Sequence, residues 1–488
     1  MAHPADTDRF EQQRQEKLSQ IAALGIDPYG ARYDDAEPAA AAKARYQQGD
    51  ESQRARCAGR IVLLRDIGKL IFITLRDRSG TIQVGLSKSL LTGQWPLAKL
   101  LDIGDLLGAA GKLGQTKTGE ITIWVEDGGL TFLSKCLFQP PEKFHGLADV
   151  DQRYRQRYVD LWANPEVLDR FRRRSEIVAT IRRFLGAKGF LEVETPMMQT
   201  IAGGAAAKPF ITHHNALDLD LYLRISPELF LKRLLVGGLE RVFEINRNFR
   251  NEGLSRQHNP EFTMMELYQA YADYRVMMDI TEEIVSACLE TLGLGTKVPF
   301  GEVEIDFGRP WRRAKYADLL KEHSGCAIDD IAAIRAKARA LQIEDAGLDD
   351  PVVVNEVFEA TAEHKLIAPT FVINYPAILC PLAKRSKIDP KYAERFELFV
   401  VGMELANAYT ELNDPAVQYE NFRHQLRGQD ESLTKMDTDY VAALKYAMPP
   451  AGGLGIGIDR LVMVLTGATT IRDVILFPLL KPLAPENK

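Results

Sequence analysis

Between residues 56 and 135 the chain keeps reversing. The segments "RCAGRIVLLRDIGKLIFITLRDRSGTIQVGL" and "GDLLGAAGKLGQTKTGEITIWVE" hold short apolar–polar alternations, broken by glycines and an Asp-Arg-Ser-Gly turn. Alternation with period two puts one set of side chains on each face of a strand. Several such strands in close succession predict a small β-barrel over 56–140. "FQPPEKFHG" then breaks the pattern, and Pro140-Pro141 marks a linker over 141–150.

Such a barrel accounts for a small part of the 488 residues, and one core does not serve so long a chain. Residues 1–55 read as a helical extension, whose segment "RFEQQRQEKLSQIAALG" stops at Gly25 and Pro28. Residues 151–488 read as a second, larger domain. It opens with helical sequence dense in arginine ("RRRSEIVATIRRF"), either a solvated face or a surface for RNA. Strands and helices mix over 190–275. A mainly helical insertion is expected at about 312–365, and 366–414 returns to strands. Gly453 to Leu465 reads as a glycine-rich turn followed by a helix. The regular βαβ rhythm of a doubly wound sheet is missing, so the expected class is α+β.

A net charge of −6 argues against a protein that coats nucleic acid indiscriminately, while leaving room for a local basic patch. No apolar run approaches the ~20 residues that a membrane helix needs. The polar start, "MAHPADTDRFEQQRQEKL", has no apolar signal core, and the five scattered cysteines form no CxxC pair. A cytoplasmic location is expected, with neither a disulfide framework nor a zinc knuckle. Two nucleotide signatures fail as well. "GKLGQTKTG" lacks the glycine before Lys117 that a phosphate loop requires, and "GGLGIGIDR" lacks the GxGxxG order.

The densest functional sequence is "FRNEGLSRQHNPEFTMMELYQAYADY", residues 249–274. Arg250 and Glu252 are two apart, so on a strand they share a face. His258 and Phe262 follow across a polar connection. A guanidinium beside a flat ring suits an α-phosphate and an adenine; a salt-bridged hairpin with Phe262 in the core is the plainer reading. Tyr268, Tyr271 and Tyr274 are spaced as one helical stripe, most simply core packing. Arg460, in "GLGIGIDRLVMVL", sits at the start of a helix, where it could cover a second face of an adenine. "NAYTE" puts Asn407, Tyr409 and Glu411 on one strand face. Glu397 and Glu404 would face opposite ways on one continuous strand, unless a turn or bulge at Gly402 lets them converge. His213-His214 fits a hairpin better than a metal site.

The segments "GFLEVETPMM", "FRNEG…HNPEF" and "GLGIGIDR" resemble motifs 1, 2 and 3 of the class II aminoacyl-tRNA synthetases. With "GGAAAKPFITHHNALD", "RISPELFLKRLLVGGLERVFEINRNFRNEG" and "TELNDP", the chain is similar to the bacterial lysyl-tRNA synthetases from about Arg9 to Pro482. The resemblance implies an N-terminal OB-fold barrel that binds the anticodon, then a catalytic antiparallel sheet flanked by helices. It implies ATP, L-lysine and tRNA(Lys) as substrates, Mg2+ as the cofactor, and a homodimer with no membrane partner. Arg250 and Arg460 would be catalytic. Arg250, Glu252, His258, Asn259, Phe262 and Arg460 would bind ATP, with Phe262 and Arg460 on either side of adenine. Gly204, Glu228, Glu266, Tyr268, Asn407, Tyr409 and Glu411 would bind lysine, Glu397 and Glu404 the metal, and Phe72 and Gln83 the anticodon. A pocket of glutamates has its own logic for lysine, because a buried ammonium needs carboxylate partners. The other readings are a related enzyme lysylating a different acceptor, an aspartyl- or asparaginyl-tRNA synthetase, and an inactive RNA-binding scaffold.

The pattern departs from the family at Lys445, Ala447 and Ala451, where glutamate, glycine and threonine are usual, and at Cys380 in place of serine. In the barrel, "ITIWVEDGGLTFLSK" is about two residues longer than the family's, which leaves Glu126 and Asp127 without a role.

Overall fold

The computed structural model describes residues 4–140, 147–205, 207–425 and 436–483. Residues 141–146 of the expected linker therefore lie outside the described residues. Two compact units are present, 1–146 and 147–488.

The first unit carries a helix, Pro4–Ala23, and a closed five-stranded barrel. Its strands are Arg54–Asp66, Leu70–Arg76, Thr81–Ser87, Leu106–Gln115 and Ile121–Ser134. Around the barrel the fifth strand lies between the third and fourth, and the first closes on the fourth. This is an OB-fold. Alternation builds it: Ile71, Ile73 and Leu75 point inward with Ile82, Val84, Ile123 and Val125, and Ile21 of the helix joins the same core. The extra length near residue 127 leaves the ladder as a bulge, because Ala109 pairs with Leu130 but Gly111 already pairs with Val125. Asp127 accepts the amides of Gly93 and Gln94 there, and Glu126 pairs with Arg54.

The second unit is built on an eight-stranded sheet. Its order is Arg312–Lys315, Thr370–Ile373, Arg395–Val400, Met403–Thr410, Ala451–Gly457, Glu261–Ala270, Arg241–Phe249 and Leu191–Glu192. All pairings are antiparallel except those at the two edges. One face is apolar. Phe396, Leu398, Ala406, Ala408, Leu454, Ile456, Met265 and Leu267 pack there with helices Pro165–Ala187, Tyr274–Thr291 and Ile458–Thr466. Not all the arginine of the opening helices is surface charge: Arg157 is fully buried with Asp160, and Arg174 pairs with Asp459.

Two expectations are overturned. Gly453–Gly457 is not a turn but most of a central strand, hydrogen-bonded on both sides. Glycine there empties one face and leaves Leu454 and Ile456 for the core, so pairing overrides poor strand propensity. Nor do the three tyrosines share a helix. Tyr268 lies in a strand, Tyr271 is 73% exposed at φ 59°, and Tyr274 opens a helix whose N-terminal amides are capped by Asp273.

Ala447 takes φ 70° and is exposed. A left-handed backbone costs a non-glycine residue ~1–2 kcal/mol, partly offset by the ~0.5–1 kcal/mol that glycine loses in chain entropy. Ala447→Gly is therefore expected to stabilise the fold by about 0.5–1 kcal/mol, measured as a raised urea midpoint at unchanged m-value.

Candidate active site

The polar face of the large sheet holds every residue that the sequence proposes for the second unit's strands. Register sets rows across it. Glu397, Asn407, Gly455, Glu266 and Glu244 are successive cross-strand neighbours, and Arg395, Tyr409, Gly453, Tyr268 and Val242 form the next row. The glycines are the floor. A Cβ on Gly453 would stand 2.0 Å from Glu411 Oε1 and 2.5 Å from the Tyr268 ring, and one on Gly455 would stand 3.2 Å from Met264 Cε.

At one end lies the cationic group. Arg250 follows the strand Arg241–Phe249, and its guanidinium stands 5.1 Å from the centroid of the Phe262 ring. Its buried Nε has no partner. Asn259 is tied to Glu261 O through Nδ2, and its buried Oδ1 is likewise unpaired. Arg460 donates to Glu404 O at 2.7 Å and meets His258 Nε2 at 3.0 Å. Desolvation, then the Arg460 charge, lowers the His258 pKa, so that ring is neutral at pH 7. Glu252 is exposed beside this group. Asp459 positions Arg460: buried, it accepts Thr263 N at 2.7 Å and Arg174 Nη1 at 2.6 Å.

The two carboxylates Glu397 and Glu404 do converge. Val401 and Gly402 form the turn between their strands, both at positive φ. One extra residue then bulges, since Leu398 pairs with Ala406 but Phe399 with Glu404. Leu405 is thereby sent into the core and Glu404 onto the polar face, where Asn407 Nδ2 reaches it at 3.1 Å. Glu397 accepts the Tyr375 hydroxyl at 2.6 Å and pairs with Arg395. Desolvation raises the Glu397 pKa against the pull of Arg395, and the Glu404 charge adds to the rise. Glu404 is held low: desolvation opposes it, but Arg460 and Asn407 prevail. Glu363 behind them is pushed up to about 8, by burial and by the charges of Glu359, Glu397 and Glu404. No set of three metal-ligating side chains forms among the described residues. Two carboxylates with surplus negative charge nearby do fit Mg2+, which takes oxygen ligands and leaves most positions to water and phosphate.

The other end is a buried acidic pocket. Glu228 opens the helix Glu228–Val236, and Lys232 follows one turn later. Lys232 Nζ, fully buried, lies 2.6 Å from Glu228 and 2.5 Å from Glu411 Oε2. Glu411 Oε1 has no partner. Glu266 accepts Ser226 Oγ at 2.9 Å and Tyr268 OH at 3.1 Å. Gly204, at φ 88°, lies against Glu228 and Ser226, where a Cβ would be 3.2 Å from each. Three carboxylates thus share one internal ammonium, since Glu244 is neutralised by Arg224 at 2.7 Å. The surplus shows in the carboxyl pKa values: burial, then the Glu228 charge, pushes Glu266 up to about 7, and burial pushes Glu411 up to about 8 although Lys232 pulls it down. The pocket holds more carboxylates than cations.

Lys232 and Asp459 were not read from the sequence. A lysine four residues after a glutamate, among Leu229, Leu231 and Leu235, was the available signal. His213 pairs with Asp220 on an exposed strand. In the first unit, Phe72 meets Trp124 edge to face at 5.8 Å, and Gln83 Nε2 donates to Thr122 at 3.0 Å.

Residues 149–481 match the family of tRNA synthetases class II (D, K and N), and 55–128 match the OB-fold nucleic acid binding domain. The chain is 51% identical to a lysine–tRNA ligase of Pelotomaculum thermopropionicum, covering 98% of this chain and 96% of the relative. It is 52% identical to that of Carboxydothermus hydrogenoformans, covering 96% and 97%. The enzyme of the same name from Thermosipho africanus is 44% identical over 98% and 97%.

Proposed function

The chain belongs to the class II tRNA synthetases and is a lysine–tRNA ligase, and from that premise we propose how its sheet face divides the work. The substrates are ATP, L-lysine and tRNA. The lysine carboxylate attacks the α-phosphorus of ATP and expels pyrophosphate, and the terminal ribose hydroxyl of tRNA then attacks the acyl carbon and expels AMP. No side chain need become a nucleophile. What is required is in-line placement and compensation of charge.

Arg250 takes the α-phosphate, and Phe262 and Arg460 flank the adenine. Glu252, His258 and Asn259 line the same site. The free Nε of Arg250 and free Oδ1 of Asn259 support this, because buried polar atoms without partners await a ligand. Glu397 and Glu404 would hold Mg2+, whose chemistry is to neutralise phosphate oxygens. Glu228, Glu266 and Glu411 receive the lysine ammonium, with Gly204, Tyr268, Asn407 and Tyr409 shaping the cleft around it. The observation that carries the assignment is the unpartnered Oε1 of fully buried Glu411, in a pocket with too few positive charges. Aspartate or asparagine would bring a carboxylate or amide to that surplus of glutamates, at the cost of an unpaired charge or donor.

The OB barrel, through Phe72 and Gln83, reads the anticodon. All five cysteines are free, which accords with a cytoplasmic location, and no helix among the described residues is long and apolar enough to cross a membrane. Leu191, Met198, Ile211, Leu217 and Leu219 are all exposed around the first motif. A homodimer joined two-fold through that region would cover them.

Three outcomes are expected. In pyrophosphate exchange across the twenty amino acids, lysine is fastest. Glu411→Gln raises the lysine KM by about a hundredfold or more (~3–5 kcal/mol) with little change for ATP; faster exchange with aspartate or asparagine would overturn the assignment. Second, protons on Glu266 and Glu411 compete with the incoming ammonium. The lysine KM should therefore fall as pH rises through 7 and 8, by at most about tenfold per unit, and level off above. A flat profile would mean that neither group meets the substrate. Third, sedimentation at micromolar concentration should show a dimer, and a lone 54.7 kDa species would exclude one.

A further inference from the structure

The outside of the barrel carries one residue from each strand in a continuous row: Arg65, Phe72, Gly85, Trp124 and Lys112. Neither ring belongs to the core, which the alternate positions Ile71, Ile73, Val84, Ile123 and Val125 fill. Phe72 and Trp124 are both half-buried. Space for the indole is made by glycine on both sides. A Cβ on Gly85 would lie 2.6 Å from Trp124 Cε3, and one on Gly114 would lie 3.1 Å from Cδ1 and Nε1. A large ring thus spans two strands on the outer wall, with an arginine and a lysine closing the row. Among the described residues Lys112 pairs with Glu51, itself almost wholly exposed, 2.9 Å away. That pair is easily exchanged for a phosphate.

We propose that Trp124 is a second stacking platform for single-stranded RNA, so that two neighbouring unpaired bases of the anticodon loop rest on Phe72 and Trp124. This rests on the reading of the barrel as the anticodon-binding unit. The planes of the two rings meet at 69°, so one base does not stack on both, and each ring takes its own. The flanking cations hold the strand's phosphates while the rings hold its bases, the combination that binds single strands. Gln83, bonded to Thr122 in the neighbouring row, has an amide oxygen left for a base edge.

An indole over glycines can also serve merely to cover the strands, so the variants must separate the two roles. Trp124→Leu keeps an apolar cover over Gly85 and Gly114 but removes the π-face, whereas Trp124→Phe keeps one. Binding of the full chain to an RNA hairpin carrying the anticodon loop of tRNA(Lys) is measured across a salt series, with Phe72→Leu in parallel. Trp124→Leu is expected to weaken binding by about tenfold to a hundredfold, and Trp124→Phe by less than about threefold. The slope of log K against log salt should be unchanged in both, because no phosphate contact is lost. If Phe72→Leu weakens binding and Trp124→Leu does not, the indole is only a cover and the proposal fails while the barrel reading stands. If Trp124→Phe loses as much as Trp124→Leu, shape and not stacking is at work, and the proposal fails. If neither leucine variant changes binding, the barrel reading itself is wrong.

Discussion

A strand in the middle of a sheet must offer side chains to both faces, and Ala451–Gly457 offers nothing larger than a methyl to one of them. The rest of the large unit follows from that asymmetry. On the apolar side Leu454 and Ile456 still lock the strand into the core. On the other side the missing side chains open a trough between the strands Met403–Thr410 and Glu261–Ala270, which pair with it on either flank. Glu411 and Tyr268 lean into the space above Gly453, so an alanine there would collide with both. Ordinary strand-forming residues would give a better sheet and no site.

Charge is distributed along the trough so that each end is incomplete. At the acidic end one internal ammonium serves three carboxylates, and the deficit appears as raised carboxyl pKa values. At the other end Arg250 and Arg460 stand beside a carboxylate pair that Arg395 and Arg460 only partly neutralise. On the assignment proposed above, an ammonium, phosphates and a divalent cation would each supply what one part lacks. Placing them together is how a reaction between two anionic groups is made feasible. Lys232 matters because it limits the deficit. Three bare buried carboxylates would not remain ionised, and the pocket would be filled with protons.

The barrel was legible because alternation and turn residues are local signals, whereas its OB order, with the third and fifth strands paired in parallel, was implied only by the family resemblance. The polar face was legible in part as a set of residue types, through Arg250, Phe262, Glu411 and Arg460, because charged and aromatic groups stand out against an apolar sheet; Glu397 and Glu404 were legible only through the family resemblance. Less legible was what depends on pairing. Glycine at every second position looks like a turn until the neighbouring strands are known. The tyrosines at 268, 271 and 274 have helical spacing, yet the strand ends between the first two. The bulge at Leu405 has no composition signal, because it is defined by the partner strand. Asp459 was hidden because its partner Arg174 is distant in sequence, and Lys232 because its local pairing with Glu228 looks like an ordinary helical ion pair until distant Glu411 joins it.

The departures from the family pattern can now be weighed by what they touch. Lys445 is exposed, and Ala447 is exposed with a left-handed backbone. Ala451 is buried where the strand begins and presents a methyl where threonine would add a hydroxyl in need of a partner. Cys380 is different. Its Sγ accepts from Arg395 Nη1 at 3.3 Å, while Nη2 of the same arginine pairs with Glu397. Sulfur is a weaker acceptor than a hydroxyl oxygen. Less of the guanidinium is therefore committed to its neighbour at 380, and more of its charge is left to Glu397. Of the four substitutions, this is the one that reaches the carboxylate pair, and it does so through one arginine.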